Sequence, residues 1–374
     1  MHTVIIGGGL GGLTAAFILA GAGTRVTVLE GAERWGGQIR TQHTDGFTIE
    51  HGAEGFTAAS GAVPVLCREL EMAERIVNQR ARSSFMLVDG ELGSLEPGEA
   101  ARRIGLRAAD SGFGRGIMSF AAGMGELVDV LVAWLKRDEH EVDLRLGARA
   151  TAFEQRGTGW QVRTEADSFI ADAAVVALPA RDAADLLGRS EPDCARALRA
   201  LHVRSSVTVS LAYRRSHVSH SLDASGFIVP HAGPAPGVSG SAPELRACAF
   251  SSSKLPNRAP DEWCLLRAFF RPNARDIATR SDRWWAVRAH DLIAPVIGIS
   301  GGPPSDERSW VARWPNALTE WRPGAIDGST CREIASLVAG NLVLAGAGVH
   351  CCGLDGAVAS GRNAARQLLA PCAP

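Results

Sequence analysis

The 374-residue chain carries 39 Lys plus Arg against 40 Asp plus Glu, a formal net charge of -1. Its length can bury a large core and hold two domains, which stay open to being interleaved. The balanced charge gives no strong field for a nucleic-acid partner, and no uninterrupted charge-free span of about eighteen residues points to a transmembrane helix.

The basic residues are almost all Arg, since Lys136 and Lys254 are the only lysines. This bias favours fixed carboxylate and phosphate recognition over lysine chemistry, although GC-rich coding gives the same result. The eight cysteines are scattered apart from Cys351 and Cys352, and the chain enters directly on a core strand. These features predict a cytoplasmic, reduced protein without structural disulfides, with peripheral membrane contact left open.

In chain order, Met1 to Ile6 reads as a buried strand. Gly7, Gly9 and Gly12 then form G-x-G-x-x-G at the turn into the Ala-rich helix Leu13 to Ala22. A second strand, Arg25 to Leu29, ends at Glu30. Each position has a physical reason: Gly7 turns the chain, Gly9 leaves bare backbone for a pyrophosphate, and Gly12 lets helix approach sheet. The helix N-terminus faces phosphate charge, and Glu30 can accept hydrogen bonds from a ribose. The loop from Gly31 to Thr41 carries Gly36 and Gly37, which permit close backbone approach to a cofactor. Arg34 and Arg40 put cations within reach of phosphate or carboxylate groups.

Thr44 to Glu50 predicts a hairpin turn and strand before the loop His51 to Phe56. Residues 61–80 predict a helix, Ser84 to Leu95 a hairpin turning at Asp89-Gly90, and Gly123 to Leu135 an amphipathic helix. Val142 to Leu146, Ala148 to Glu154 and Gly159 to Thr164 alternate as strands of one small sheet. Ile170 to Leu178 returns to a buried parallel strand. Residues 192–200 read as helix, and Ser206 to Tyr213, Gly226 to Val229, Cys248 to Ser251, Cys264 to Phe270 and Ser309 to Trp314 as strands of a second, antiparallel sheet. The helix Asp282 to Ile293 interrupts that series, and His231 to Pro243 is a Pro/Gly/Ser-rich loop. Asn341 to Ala345 is a last apolar strand, Gly346 to Gly348 a turn, and Asp355 to Leu369 an Ala-rich helix.

Three ordered elements, Gly7 to Glu30, Gly36-Gly37 with Arg40-Thr41, and Phe47 to Phe56, resemble the FAD-binding opening of the amine oxidase superfamily. The likeness is greatest to its protoporphyrinogen and coproporphyrinogen oxidase branch. Gly353 to Gly361 resembles the closing flavin motif of that superfamily. The resemblance implies an α/β fold in which a Rossmann-like FAD-binding domain is interleaved with an α+β substrate domain. FAD-binding parts are expected at 1–60, 123–190 and 326–374, a shortened helical substrate part at 61–122, and the substrate sheet and helices at 191–325. It assigns Gly346, Asp355, Gly356 and Ala357 to the cofactor and puts backbone at Arg149 and Ala150 beside the adenine. Ordinary sheet packing at Arg149 and Ala150, and helix capping by Asp355, remain equally available readings.

Because FAD carries the redox chemistry, the protein chiefly has to position a substrate C-H bond and control oxygen access. No Ser-His-Asp order or metal-ligand cluster competes with this. His350 either faces the ring or hydrogen-bonds within its loop, and Cys351 either lines the site or packs in the core. The segment Trp310 to Gly324 resembles the Arg-Pro-Ala-Pro-Tyr stretch of the porphyrinogen oxidases, with Trp321 where Tyr is usual. It suggests that Arg313 and Trp314 bring a cation and a flat ring to one cleft, beside Trp321, for a tetrapyrrole's carboxylates and rings. The bland reading is a core Trp beside a solvent Arg.

The expected activity is therefore FAD-dependent oxidation of coproporphyrinogen III or protoporphyrinogen IX, with O2 as acceptor. An amine or secondary-metabolite oxidase and a degenerate FAD-binding subunit are the alternatives. Only 67 positions separate Phe56 from Gly123, where the resembled oxidases carry an extensive helical region. A homo-oligomer or a partner subunit covering the cleft follows as an open expectation.

Overall fold

The computed structural model describes every residue except 58–60, 104–115, 231–243, 321–328, 339, 347–352 and 371–374. Its first layer is a parallel sheet in the order Val142–Arg145, Arg25–Leu29, His2–Ile6, Ala173–Val176, Leu342–Leu344. The inner strands are nearly uninterrupted apolar runs because both faces are covered. The helices Leu10–Gly21, Gly125–Leu135 and Gly353–Leu369 pack on one face. The antiparallel sheet of Ala152–Arg156, Gly159–Arg163 and Ser168–Ala171, with helices Ala180–Leu187 and Pro192–Ala200, covers the other. Leu127 and Leu131 of the second helix are wholly buried, each contributing about 1.5–3 kcal/mol of apolar burial.

Val142–Arg145 does not belong to the small antiparallel sheet, as its alternation suggests, but pairs in parallel with Arg25–Leu29. As an edge strand it is covered on one side only. Val142 and Leu144 pack on the helical core, while Asp143 and Arg145 pair with each other outside. The helix expected over 61–80 also stops early, spanning Ala62–Glu69. Glu71 takes a left-handed φ of 56°, Met72 N–H bonds the Cys67 carbonyl and Glu71 N–H that of Arg68. This C-terminal cap reverses the chain, so Leu70 and Met72 reach the core outside the helix.

The second layer is a seven-stranded sheet ordered Ser309–Glu320, His202–Arg214, Trp263–Arg271, Glu244–Ala249, Gly226–Ile228, Ser84–Val88, Glu91–Leu95. It is antiparallel except where Gly226–Ile228 meets Ser84–Val88. The helix Asp282–Ile297, four residues longer than its expected end at Ile293, buries Trp285 against Phe270 on one face of this sheet. The opposite face meets the nucleotide-binding layer. Between 61 and 122 the described α-helices are Ala62–Glu69 and Glu99–Arg103, and the Ser84–Leu95 hairpin extends the seven-stranded sheet.

Candidate functional site

The site begins at the glycine turn. Gly7 has φ of 111°, and a Cβ there would lie 2.5 Å from the Ala177 carbonyl oxygen; a Cβ on Gly12 would lie 2.0 Å from that of Gly7. Gly9 differs, with φ of -75° and nothing closer to an added Cβ than Gly37 Cα at 3.9 Å. The first two glycines thus serve the protein's own packing, whereas Gly9 leaves space. The helix Leu10–Gly21 starts there with no side-chain cap and no acid in its first turn. An uncapped N-terminus over bare backbone fits a diphosphate. Gly36 N–H donates to the Gly8 carbonyl at 2.8 Å, which lays the Gly36-Gly37 loop along the same turn.

Glu30 accepts from Gly8 N–H and Ala32 N–H, both at 2.8 Å, and its carboxylate keeps acceptor capacity for hydroxyl groups. Arg149 packs against Gly31, and Ala148 N–H donates to the Glu30 carbonyl, so the backbone leading to Ala150 borders the Glu30 end of the crevice. Arg40 is exposed. The Arg34 guanidinium donates to the carbonyls of Trp35, Gly37 and Ile39 and fastens its own loop.

The far end of the chain closes the crevice. A Cβ on Gly11 would lie 3.1 Å from Gly346, whose N–H donates to Ser360 Oγ at 2.8 Å. Gly356 and Ala357 are buried there. Asp355 accepts the Val63 N–H at 3.0 Å and so holds the start of Ala62–Glu69, a helix other than its own. His350, Cys351 and Trp321 lie outside the described residues.

The crevice meets the second sheet at the loop after Glu50. Thr208 Oγ1 and Trp314 Nε1 donate to the His51 carbonyl at 2.9 and 2.8 Å, and Arg267 donates to that of Gly52. Gln38 Nε2 reaches the Ala317 carbonyl. Arg313 and Trp314 do not share a cleft, because neighbours on a strand face opposite ways. Arg313 instead pairs with Asp282 and donates to the Arg280 carbonyl at 2.7 Å on the helix side.

Beneath this loop lies a set of buried charges that the motifs did not reveal. Glu54 accepts from Ser251 Oγ and Lys254 Nζ, both at 2.8 Å. Burial alone pushes its carboxyl up, but Lys254 and Arg267, with those hydrogen bonds, hold it at about 2. Glu50 accepts from Met124 N–H at 2.6 Å and Thr41 Oγ1 at 2.8 Å, yet burial outweighs these bonds and the neighbouring cations and lifts it to about 7. Arg258 is 1% exposed and donates to Ser119 Oγ and to the carbonyls of Phe120, Ala121 and Pro256. His51 bonds Gln42 Oε1 through Nε2; burial, followed by Arg40, Arg267 and Arg34, lowers it to about 4. The available sequence signals were Lys254 in an otherwise Arg-rich chain and Arg267 inside the apolar run Cys264 to Phe270.

The flavin containing amine oxidoreductase family matches residues 69–369, and the NAD(P)-binding Rossmann-like domain matches residues 5–70. The chain belongs to the flavin containing amine oxidoreductase family. This amine oxidoreductase is 22% identical to the coproporphyrinogen III oxidase of Propionibacterium freudenreichii subsp. freudenreichii, over 98% of this chain and 90% of that protein. The alignment runs over 499 residues, so the relative carries insertions that this shorter chain lacks. A putative protoporphyrinogen oxidase from Exiguobacterium sp. 255-15 shares the fold with a TM-score of 0.80 at 19% identity, over 98% of both chains. A putrescine oxidase variant shares it with a TM-score of 0.72 at 14% identity, also over 98% of both. The general reaction of this FAD-dependent oxidoreductase class is hydride transfer from a substrate to the flavin. Among the described residues, no helix is long and apolar enough to cross a membrane.

Proposed function

We propose that this amine oxidoreductase binds FAD and oxidises a porphyrinogen, coproporphyrinogen III or protoporphyrinogen IX, to its porphyrin. The observation carrying this reading is its likeness to a coproporphyrinogen III oxidase across nearly the whole of both chains. FAD supplies the hydride acceptor, and O2 returns it to the oxidised state with formation of H2O2. Removing six electrons from the macrocycle takes three turns, so one porphyrin forms for three O2 consumed and three H2O2 released.

Within this reading, the Leu10–Gly21 N-terminus and Gly9 hold the diphosphate, while Glu30 holds the adenosine ribose. Gly346 and the buried start of Gly353–Leu369 approach from the opposite side. The carbonyl-pinned His51-Gly52 loop fixes where the second sheet meets the cofactor. Substrate would lie against the sheet face bearing Phe269, which is half-buried and shares its side of the strand with Arg267.

The test is aerobic turnover of each porphyrinogen by FAD-loaded protein, with porphyrin and H2O2 quantified together. Porphyrin formation with about three H2O2 per ring supports the reading. Turnover of amines with neither porphyrinogen oxidised would replace it with an amine oxidase.

A further inference from the structure

We infer that Arg267 supplies the positive charge that balances the negative charge of FAD after the flavin accepts hydride. This rests on FAD binding and is independent of the porphyrinogen reading.

Arg267 is 2% exposed in the middle of Trp263–Arg271. Its neighbours include two carboxylates, Glu50 and Glu54, and two further cations, Lys254 and Arg258. Glu54 is engaged by Lys254 at 2.8 Å, and the Glu50 contact with Arg258 is 3.9 Å. Among the described residues no carboxylate comes within 4.0 Å of the Arg267 guanidinium, and Nε has no hydrogen-bond partner. Its hydrogen bond goes to the Gly52 carbonyl, and its guanidinium carbon lies 4.8 Å from the Phe269 ring centroid. Even with both carboxylates ionised, three buried cations leave one positive charge in excess. Glu54 and Glu50 attract Arg267 at longer range, but a buried excess of one positive charge is costly and points to a negative charge developing beside it on a group from outside the chain.

The position selects the flavin end of FAD. Glu30 marks the ribose end of the crevice and Gly9 the diphosphate. Beyond Gly37, Gln38 abuts Gly52, where an added Cβ would come within 1.6 Å of the Gln38 carbonyl oxygen. Arg267 holds that same Gly52 from the other sheet. Arg40, Arg34 and His51 flank the loop, with His51 held in its neutral form by burial and these cations. Hydride brings two electrons and one proton to the neutral oxidised ring, leaving a monoanion and requiring no further proton. In a low-dielectric setting, a fixed guanidinium beside that charge stabilises it strongly.

Sulfite is the probe, because its addition to oxidised flavin also leaves negative charge on the ring. FAD-loaded wild type, Arg267→Lys and Arg267→Gln would be titrated with sulfite and followed by loss of oxidised-flavin absorbance. Arg267→Gln should bind sulfite about tenfold or more weakly than wild type, with Arg267→Lys within roughly threefold. Sulfite binding by Arg267→Gln within about twofold of wild type would overturn the inference. Photoreduced wild type gives a second readout that needs no variant: below neutral pH, where free reduced flavin is protonated at N1, the spectrum should remain that of the anion. A neutral reduced spectrum would contradict the inference. Failure of wild type to take up FAD would instead remove the cofactor reading on which both measurements rest.

Discussion

Lys254 Nζ donates to the Glu54 carboxylate at 2.8 Å, joining residues 200 positions apart at the boundary between the nucleotide-binding layer and the seven-stranded sheet. Both side chains are largely buried, at 17% and 8% exposure. Removal of either partner leaves the other charge without its nearest counter-ion.

Lys254→Met is therefore expected to destabilise the fold by about 3–5 kcal/mol, and the double variant with Glu54→Leu by less than the two single changes combined. Urea unfolding of the four proteins measures the coupling. Additive losses would show that the pair acts as two separate groups.

Gly9 and Gly361 separate cofactor space from packing space. An added Cβ at Gly9 meets no protein atom closer than 3.9 Å, whereas one at Gly361 comes within 2.3 Å of the Gly11 carbonyl oxygen. Gly9→Ala should unfold within about 0.5 kcal/mol of wild type without FAD, while FAD affinity falls by about tenfold or more. Gly361→Ala should cost about 1–3 kcal/mol before any cofactor is added. Apoprotein unfolding combined with FAD titration distinguishes the two.

Asp355 is expected to act first as a cap for Ala62–Glu69 through Val63 N–H. Asp355→Ala should destabilise the apoprotein by about 0.5–2 kcal/mol, and Asp355→Asn by less, as read from denaturant midpoints. An apoprotein unaffected by Asp355→Ala would assign the carboxylate to the cofactor alone.

Two buried groups give opposite pH dependences. Glu50 is raised from 4.5 to about 7 by burial, so its contribution is fully present below about pH 4.5 and is lost as pH rises through 7. His51 is lowered from 6.5 to about 4 by burial and nearby Arg, so its contribution is present above 6.5 and is lost as pH falls through 4. Between these limits the two slopes oppose each other. Glu50→Gln should uncover a stability that climbs with pH across about 4.5–6.5, more steeply than in wild type. An unchanged profile in unfolding experiments would contradict the assignment.

The local βαβ opening was legible because turn, helix and acid follow one another within thirty residues. The second sheet was legible only in part from strand periodicity: the strand expected at Cys248 to Ser251 lies at Glu244–Ala249, with a helical turn at Ser251–Lys254, and the Ser84 to Leu95 hairpin joins the sheet through contacts no local pattern encodes. The parallel placement of Val142–Arg145 was not legible, because a half-covered edge strand has the alternation of an antiparallel one. The structural role of Arg34 was not legible, because sequence shows a cation in a glycine loop but not the three carbonyls turned toward it. Arg313 and Trp314 were read as one surface although strand alternation separates adjacent side chains. The Glu50, Glu54, Lys254, Arg258 and Arg267 group depends on contacts between distant segments, and no local spacing encodes it.

Porphyrinogen oxidation by bound FAD joins the cofactor crevice to the substrate face of the second sheet. Its most direct test is an anaerobic titration of the FAD-loaded protein with coproporphyrinogen III and, separately, protoporphyrinogen IX. The oxidised-flavin band should be lost in step with appearance of the matching porphyrin for at least one of them. Retention of the oxidised-flavin band with both, in a preparation whose flavin is still reduced by dithionite, would contradict it.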